Sequence, residues 1–293
     1  MPLSSVTLIL SPYHVGNYNV DVGAGPLRVL NHGLISALEE LGVKVKVEEI
    51  PRADTLIGEI GKSFELLRRT SKLVRQAKMA NSFPIILSGN CMATVGVAAG
   101  IGAADLGCVW FDAHDDYHTP DTMMSGYLDS TGVSMMSGES FKALMGTVPG
   151  HEVFDLQRFI FCGIRDVTGV ERKRVQEGGM GAVWGGTDVV VDFAQELGKA
   201  IDRRPSKATM IHLDLDVLDD SLGKVNRFSA PGGLFEADLQ ACLRTIVEKT
   251  IPASLTVASF DPSLDGGDVI VNVAVNAITT VIKSLLEKKL LTV

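Results

Sequence analysis

An alternation constrains this chain more than any other feature. Short apolar runs recur along its length, and stretches with helical spacing separate them. The candidate strands are Val6–Leu10, Val43–Val47, Pro84–Leu87, Gly107–Phe111, Phe159–Gly163, Gly181–Trp184, Thr209–Leu215 and Leu255–Phe260. Leu27, Leu30, Leu34, Leu38 and Leu41 follow one another at spacings of three and four, and Gly42 then reads as a helix stop. Ile60, Phe64, Leu67 and Val74 form a second such stripe, and a last helix is expected from near Val269 to Leu290. Strand, helix, strand, helix predicts a parallel sheet covered on both faces, a three-layer α/β/α architecture. Several runs are apolar without alternation, as strands buried on both faces must be. Val43–Val47 instead alternates with Lys44 and Lys46, which suits a sheet edge guarded by lysines. With no repeat, low-complexity tract or linker, residues 1–293 read as a single domain.

Charge and cysteine usage narrow the function classes. The formal net charge of −8 and the short, mixed basic stretches argue against a dedicated nucleic-acid binder. No run approaches the roughly 20 apolar residues of a membrane-spanning helix, so no membrane role is expected. The opening "MPLSSVTLILSPYH" lacks a secretory pattern and reads as a first strand. Cys91, Cys108, Cys162 and Cys242 are dispersed and form no CxxC pair, which suits reduced thiols and a cytoplasmic setting.

In parallel sheets ligands bind beyond the carboxyl ends of the strands. Three such ends carry unusual chemistry: "LSGNCMATVG" from Leu87, "WFDAHDDYHTP" from Trp110 and "IHLDLDVLDD" from Ile211. In an extended segment residues i, i+2 and i+4 share a side. That rule brings Asp112, His114 and Asp116 together, and likewise Asp214 and Asp216, while Leu213 and Leu215 point into the packing. Converging carboxylates repel unless a cation neutralises them. Carboxylates with an imidazole suit divalent Mn, Fe, Zn or Mg, and two ions sharing bridging carboxylates account for the number of donors. A lone DxD is more often a turn feature; two such motifs on apolar strands of one α/β chain point to a metal site. His212 lies inside a strand and reads as a satisfied core histidine, while His14, His32 and His151 carry no signal.

"DAHDDYHTP" resembles the DAHxDxxTP motif of the arginase, agmatinase and formiminoglutamase family, the ureohydrolases. "HLDLDVLDDS" resembles that family's SxDxDxxDPS motif, and "DVGAGPLRVLNHGL", "GIRDV" and "SFDP" fall in its order and spacing. The resemblance implies a mostly parallel eight-stranded sheet between helical layers. It implies two divalent metal ions, Mn2+ foremost, and a metal-bridging hydroxide that attacks the central carbon of a guanidinium or related amidine and expels an amine. By that resemblance one ion is held by Cys91, Asp112, Asp116 and Asp214, and the other by His114, Asp112, Asp214 and Asp216. It also implies a homo-oligomer, a trimer or hexamer, acting on a small-molecule substrate.

The chain departs from the family where it matters most. The family's GGDHS loop, whose His is a ligand, is here Ser88, Gly89, Asn90, Cys91 and Met92. A thiolate at Cys91 can ligate, and favours Fe2+ or Zn2+ there. The competing reading is a small buried residue beside a weak or empty first site; a nucleophilic role lacks an evident Cys/His pair. Asp129 falls where arginases carry a proton-shuttling His, and with His118 and Asp116 it makes the candidate catalytic set. Ser259 replaces the guanidinium-binding Glu, and His118, Tyr127 and Thr168 occupy positions that grip the far end of the substrate. His118 is equally suited to orient a ligand by hydrogen bonding. These departures predict a C–N hydrolase of guanidino, hydroxyguanidino or formimino compounds that is not an ordinary arginase. The alternative is a non-catalytic family member serving as scaffold or partner subunit, told apart by its metal content. A one-zinc deacetylase-like hydrolase would use adjacent histidines, and the sequence has none.

Overall fold

The computed structural model describes residues 2–53 and 55–292. All eight expected strands form and join one sheet: β1 Ser5–Ser11, β2 Val45–Glu49, β3 Ser82–Ser88, β4 Leu106–Phe111, β5 Phe159–Ile164, β6 Gly181–Trp184, β7 Ala208–Asp214 and β8 Pro252–Ala258. Their order is β2-β1-β3-β8-β7-β4-β5-β6, and every neighbouring pair is parallel. The lysine-bearing strand β2 is indeed an edge. A two-residue ribbon pairs Tyr13–His14 with Asn17–Tyr18 outside this sheet.

The helices are α1 Gly25–Val29, α2 Ile35–Glu39, α3 Glu59–Met79, α4 Ala93–Ile101, α5 Gly132–Met136, α6 Lys142–Met145, α7 Gly169–Glu177, α8 Phe193–Arg203, α9 Glu236–Lys249 and α10 Gly267–Glu287. On one face Leu34, Leu38, Leu197, Leu243 and Ile278 pack together against the sheet. On the other Phe64, Leu67, Val95 and Met135 do so. Strand β4 serves both layers: Val109 and Phe111 enter the first, Cys108 and Trp110 the second. Helix α4 is buried along most of its length because Gly96 and Gly100 let it touch α3. A Cβ on either would meet the Leu67 or Ser71 carbonyl oxygen at 2.8 or 2.7 Å.

Two expectations need correction. The leucine stripe from Leu27 to Leu41 is not one helix: it breaks at His32 and Gly33, where Gly33 takes φ 82°. Glycine reaches this left-handed region without the Cβ clash that bars most residues. The side chains around the break bind α10 instead, with Arg28 donating to Asp268 at 2.5 Å and His32 pairing with Asn272 at 2.9 Å. Helix α10 is long and apolar enough by length and composition to cross a membrane, contrary to the reading of the sequence. Here Ile270, Val271, Ala274, Ile278, Val281 and Leu285 are buried in the first layer, as in a core helix.

Register brings the carboxyl ends of four central strands to one rim. Leu87 lies beside Val257, Val257 beside Leu213, and Leu213 beside Phe111. The segments that leave β3, β8, β7 and β4 therefore emerge side by side, where the strand order reverses.

Candidate metal centre

Both Asp-rich strands stop where their acidic segments begin, β4 at Phe111 and β7 at Asp214. The extended-chain alternation used on the sequence therefore does not carry past those ends. Asx-type turns do the gathering instead. Asp112 Oδ1 accepts from the His114 N–H at 2.7 Å, and Asp214 Oδ1 accepts from the Asp216 N–H at 2.7 Å. Leu215 still points into the core, but from a 3-10 turn over Leu215–Val217. Asp116 reaches the site from a left-handed backbone, φ 44°. The grouping of Asp112, His114, Asp116, Asp214 and Asp216 stands; its cause is turn geometry, not strand pleat.

Asp112, His114 and Asp216 form the first corner. His114 Nδ1 lies 3.2 Å from Asp112 Oδ1 and 3.3 Å from Asp216 Oδ2. Asp112 Oδ2 also accepts from the Trp110 indole N–H at 2.9 Å. Asp216 accepts from the Ala113 N–H at 3.2 Å and the Asn226 side chain at 2.9 Å. One donor atom from each of the three lies within 4.8 Å of the others. Burial, and then Asp216, pushes Asp112 up to about 6. Burial alone would raise Asp216 too, but His114 and its hydrogen-bond donors hold it below the usual carboxylate range. Burial opposes the charge on His114, yet Asp216 and the hydrogen bonds to Asp112, Asp166 and Asp216 raise it well above the ordinary imidazole value.

Cys91 forms the second corner. Its thiol donates to Asp214 Oδ2 at 2.8 Å and lies 3.1 Å from Ser259 Oγ. Burial, with Asp214 next, pushes the thiol well up. The loop that carries it is clamped by Asp129, whose carboxylate accepts from Asn90 Nδ2 at 2.7 Å, the Cys91 N–H at 3.0 Å and the Met92 N–H at 2.8 Å. Asp129, expected to move protons, is thus also the brace of the Cys91 loop. Ser259 holds φ 66° and lies against the thiol.

His212 needs correction. It is fully buried and its Nδ1 pairs with Thr94 Oγ1 at 2.7 Å, as a core histidine should. Its Nε2, however, has no hydrogen-bond partner among the described residues. Burial drives the ring down to about 3, so it is a neutral imidazole.

Arg165, seen in the sequence only as part of "GIRDV", fixes the Asp216 turn. Its guanidinium donates to the carbonyls of Gly163, Asp216, Val217, Leu218, Ala230 and Pro231, at 2.7 to 3.2 Å.

Above both corners lies a cavity of about 400 Å3. His118 and Tyr127 line it, as expected. His118 Nε2 pairs with Glu171 at 3.0 Å, and Tyr127 stacks at 5.6 Å on Phe228. Thr168 does not contribute: it caps α7, accepting from the Glu171 N–H at 3.3 Å while Glu171 accepts from its own N–H at 2.6 Å. Glu171 lines the cavity in its place. His14, Asp166, Asn226 and Phe228 also line it and went unseen. "RD" after β5 was a signal for Asp166; the others sit in loops of ordinary composition.

The donor chemistry fits divalent cations. Buried carboxylates, an imidazole and a thiol crowd one point, and both the raised Asp112 and the unpaired His212 Nε2 are groups that a cation would satisfy. Among known proteins, the model of the arginase family matches residues 4–284. The chain is 26% identical to the arginase of Eremothecium gossypii, over 89% of this chain and 70% of that one. Its fold superposes on the arginase of Bacillus caldovelox with a TM-score of 0.85 at 22% identity, covering 95% of this chain and 98% of that one. The formimidoylglutamase of Bacillus subtilis superposes with a TM-score of 0.71 at 18% identity, covering 97% and 88%.

Proposed function

The chain belongs to the arginase family, and from that premise we propose that it is a dinuclear metallohydrolase cleaving a C–N bond of a linear amidine: a guanidine, a substituted guanidine or a formimino compound. One observation carries the reading. Cys91, His114, Asp214 and Asp216 line one cavity from the ends of β3, β4 and β7, with Asp112 buried against His114 beside them. Asp112, His114 and Asp216 would hold one ion, and Cys91, Asp116 and Asp214 a second, with Asp112 and Asp214 between them; Mn2+ suits the first set and Fe2+ or Zn2+ the thiol. Bound there, the ions supply a nucleophile at neutral pH by lowering the pKa of water.

The chain's own residues bind and orient the substrate. Nine carboxylates line the cavity against one arginine and three histidines, which favours a cationic substrate. The Tyr127 and Phe228 rings offer a face to an amidinium. Ser259 replaces charge with a hydroxyl at the thiol, so a bare guanidinium loses the carboxylate that would pair with it. A hydroxyguanidine or a formimino group asks less of that position, and this supports a best substrate other than arginine.

The test is a panel of arginine, agmatine, a hydroxyguanidine and a formimino amino acid with Mn2+, Fe2+ and Zn2+. Metal-dependent release of urea, hydroxyurea, formamide or ammonia is expected, largest for a modified guanidine or formimino substrate. Arginine as the best substrate overturns the substrate reading. No turnover with two metals bound leaves the scaffold role.

A further inference from the structure

We propose that His212 Nε2 is a further ligand of the ion at the Cys91 corner, joining Cys91 and Asp112 in a nitrogen–sulfur–oxygen donor set suited to zinc. One donor atom from each lies within 4.8 Å of the other two, and all three residues are buried. The site uses a strand imidazole that the sequence presented as packing.

Three features of the His212 ring point to a ligand. Its Nε2 is buried with no partner among the described residues, and a buried ring nitrogen left unmet carries its full desolvation penalty. Its other nitrogen is held by Thr94 Oγ1 at 2.7 Å, the arrangement by which metal-binding histidines fix tautomer and orientation. Trp110 lies on the ring with centroids 3.7 Å apart, and the same indole donates to Asp112 Oδ2 at 2.9 Å. One residue thus sets the attitude of two of the three donors. The stack sets the plane of the ring, and the Thr94 contact sets which nitrogen is left over.

A thiolate and an imidazole beside one carboxylate favour zinc over the harder manganese. Ion binding exchanges the Cys91 thiol proton, which the thiol now donates to Asp214, for the cation and releases it to solvent. The inference does not rest on the substrate class or on catalysis. A protein inactive on every amidine still carries this site if the ligands bind. The competing occupant is a buried water shared with Thr256, whose hydroxyl also lacks a partner and which lies in register with His212.

Cobalt titration of the metal-free full-length chain tests it. The wild type should develop a thiolate-to-cobalt charge-transfer band. Cys91→Ser should abolish that band, and His212→Gln should weaken the cobalt affinity reporting through it by more than the roughly 100-fold that losing an outer partner costs. An unchanged band and affinity in His212→Gln, or no band in the wild type, overturns the proposal and favours the water. Because a buried substitution can unfold the chain, a second measurement leaves His212 intact. The His114→Ala chain with one equivalent of zinc should show, by X-ray absorption, one sulfur at about 2.3 Å and imidazole scattering. With His114 gone, sulfur without imidazole, or no zinc uptake, overturns it as well.

Discussion

At the His114 corner all four oxygens of Asp112 and Asp216 are met by N–H donors, two from the backbone and two from Trp110 and Asn226. At the Cys91 corner the donors lean on one another, thiol on Asp214 and thiol beside Ser259, and His212 Nε2 is left over. The first arrangement presets its geometry before any ion arrives. The second is braced from outside, by Asp129 through the loop backbone. Preset carboxylates lower the reorganisation needed on binding, whereas a protonated thiol must give up its proton first. The two corners should therefore load differently, the His114 corner with hard ions and the Cys91 corner with softer ones.

The largest expected effect comes from breaking the scaffold of the first corner. Arg165→Met strands several carbonyls around the Asp216 turn and should cost about 3 kcal/mol or more in chemical denaturation. A loss near zero would mean that the turn holds itself. Next, Asp216→Asn removes a proposed ligand and the charge that raises His114. Metal affinity at this corner should fall by more than the roughly 10- to 100-fold that outer partners cost. The His114 titration, followed by NMR in metal-free protein, should move down.

Acidity separates the carboxylates of that same corner. Asp112 is raised from its ordinary 3.8 to about 6, so it withdraws stability from chelated protein as pH climbs between those values. Asp216 is lowered, so its contribution is present above the ordinary carboxylate value and lost as pH falls through its depressed one. Asp116 and Asp214, both raised, add to the Asp112 effect. Melting temperatures of chelated protein should drop as pH rises from about 4 to about 6, and divalent metal should reverse the drop. A rise instead would mean that His212, held neutral down to about 3 and so adding stability as pH climbs toward its ordinary 6.5, outweighs the raised carboxylates.

Asp129→Asn probes the brace of the second corner. It should cost about 1–2 kcal/mol of stability by weakening charge-assisted bonds to the Asn90–Met92 backbone and side chain. An activity loss far beyond that, with a changed pH profile, would assign Asp129 the proton transfer that the sequence suggested. Smallest of all, Phe228→Ala should leave stability within about 0.5 kcal/mol, since the ring is half exposed. It should raise KM for a cationic substrate about two- to fivefold. An unchanged KM would remove the ring from the binding face.

Much of this was readable along the chain because parallel strands buried on both faces must be apolar without alternation. Each of the eight runs became a strand, and the lysine-marked one became an edge. The acidic segments were legible because such residues at apolar strand ends have few uses besides binding. The leucine stripe misled at Gly33, since periodicity does not register a single left-handed residue. Thr168 misled because position in a motif does not tell a capping hydroxyl from a binding one.

The sequence by itself determined the strands, the layers and the identity of most donors, because hydrophobic period and residue chemistry are local properties. Only the tertiary structure decided which donors meet. Asx turns aim Asp112 and Asp214, Arg165 pins the Asp216 turn, and Trp110 lies on a buried imidazole grouped with Cys91 and Asp112. Those outcomes depend on strand register and on hydrogen bonds between segments distant in the chain. Which buried nitrogen of His212 meets Thr94 and which meets no described residue is settled only once the surrounding groups are packed into place.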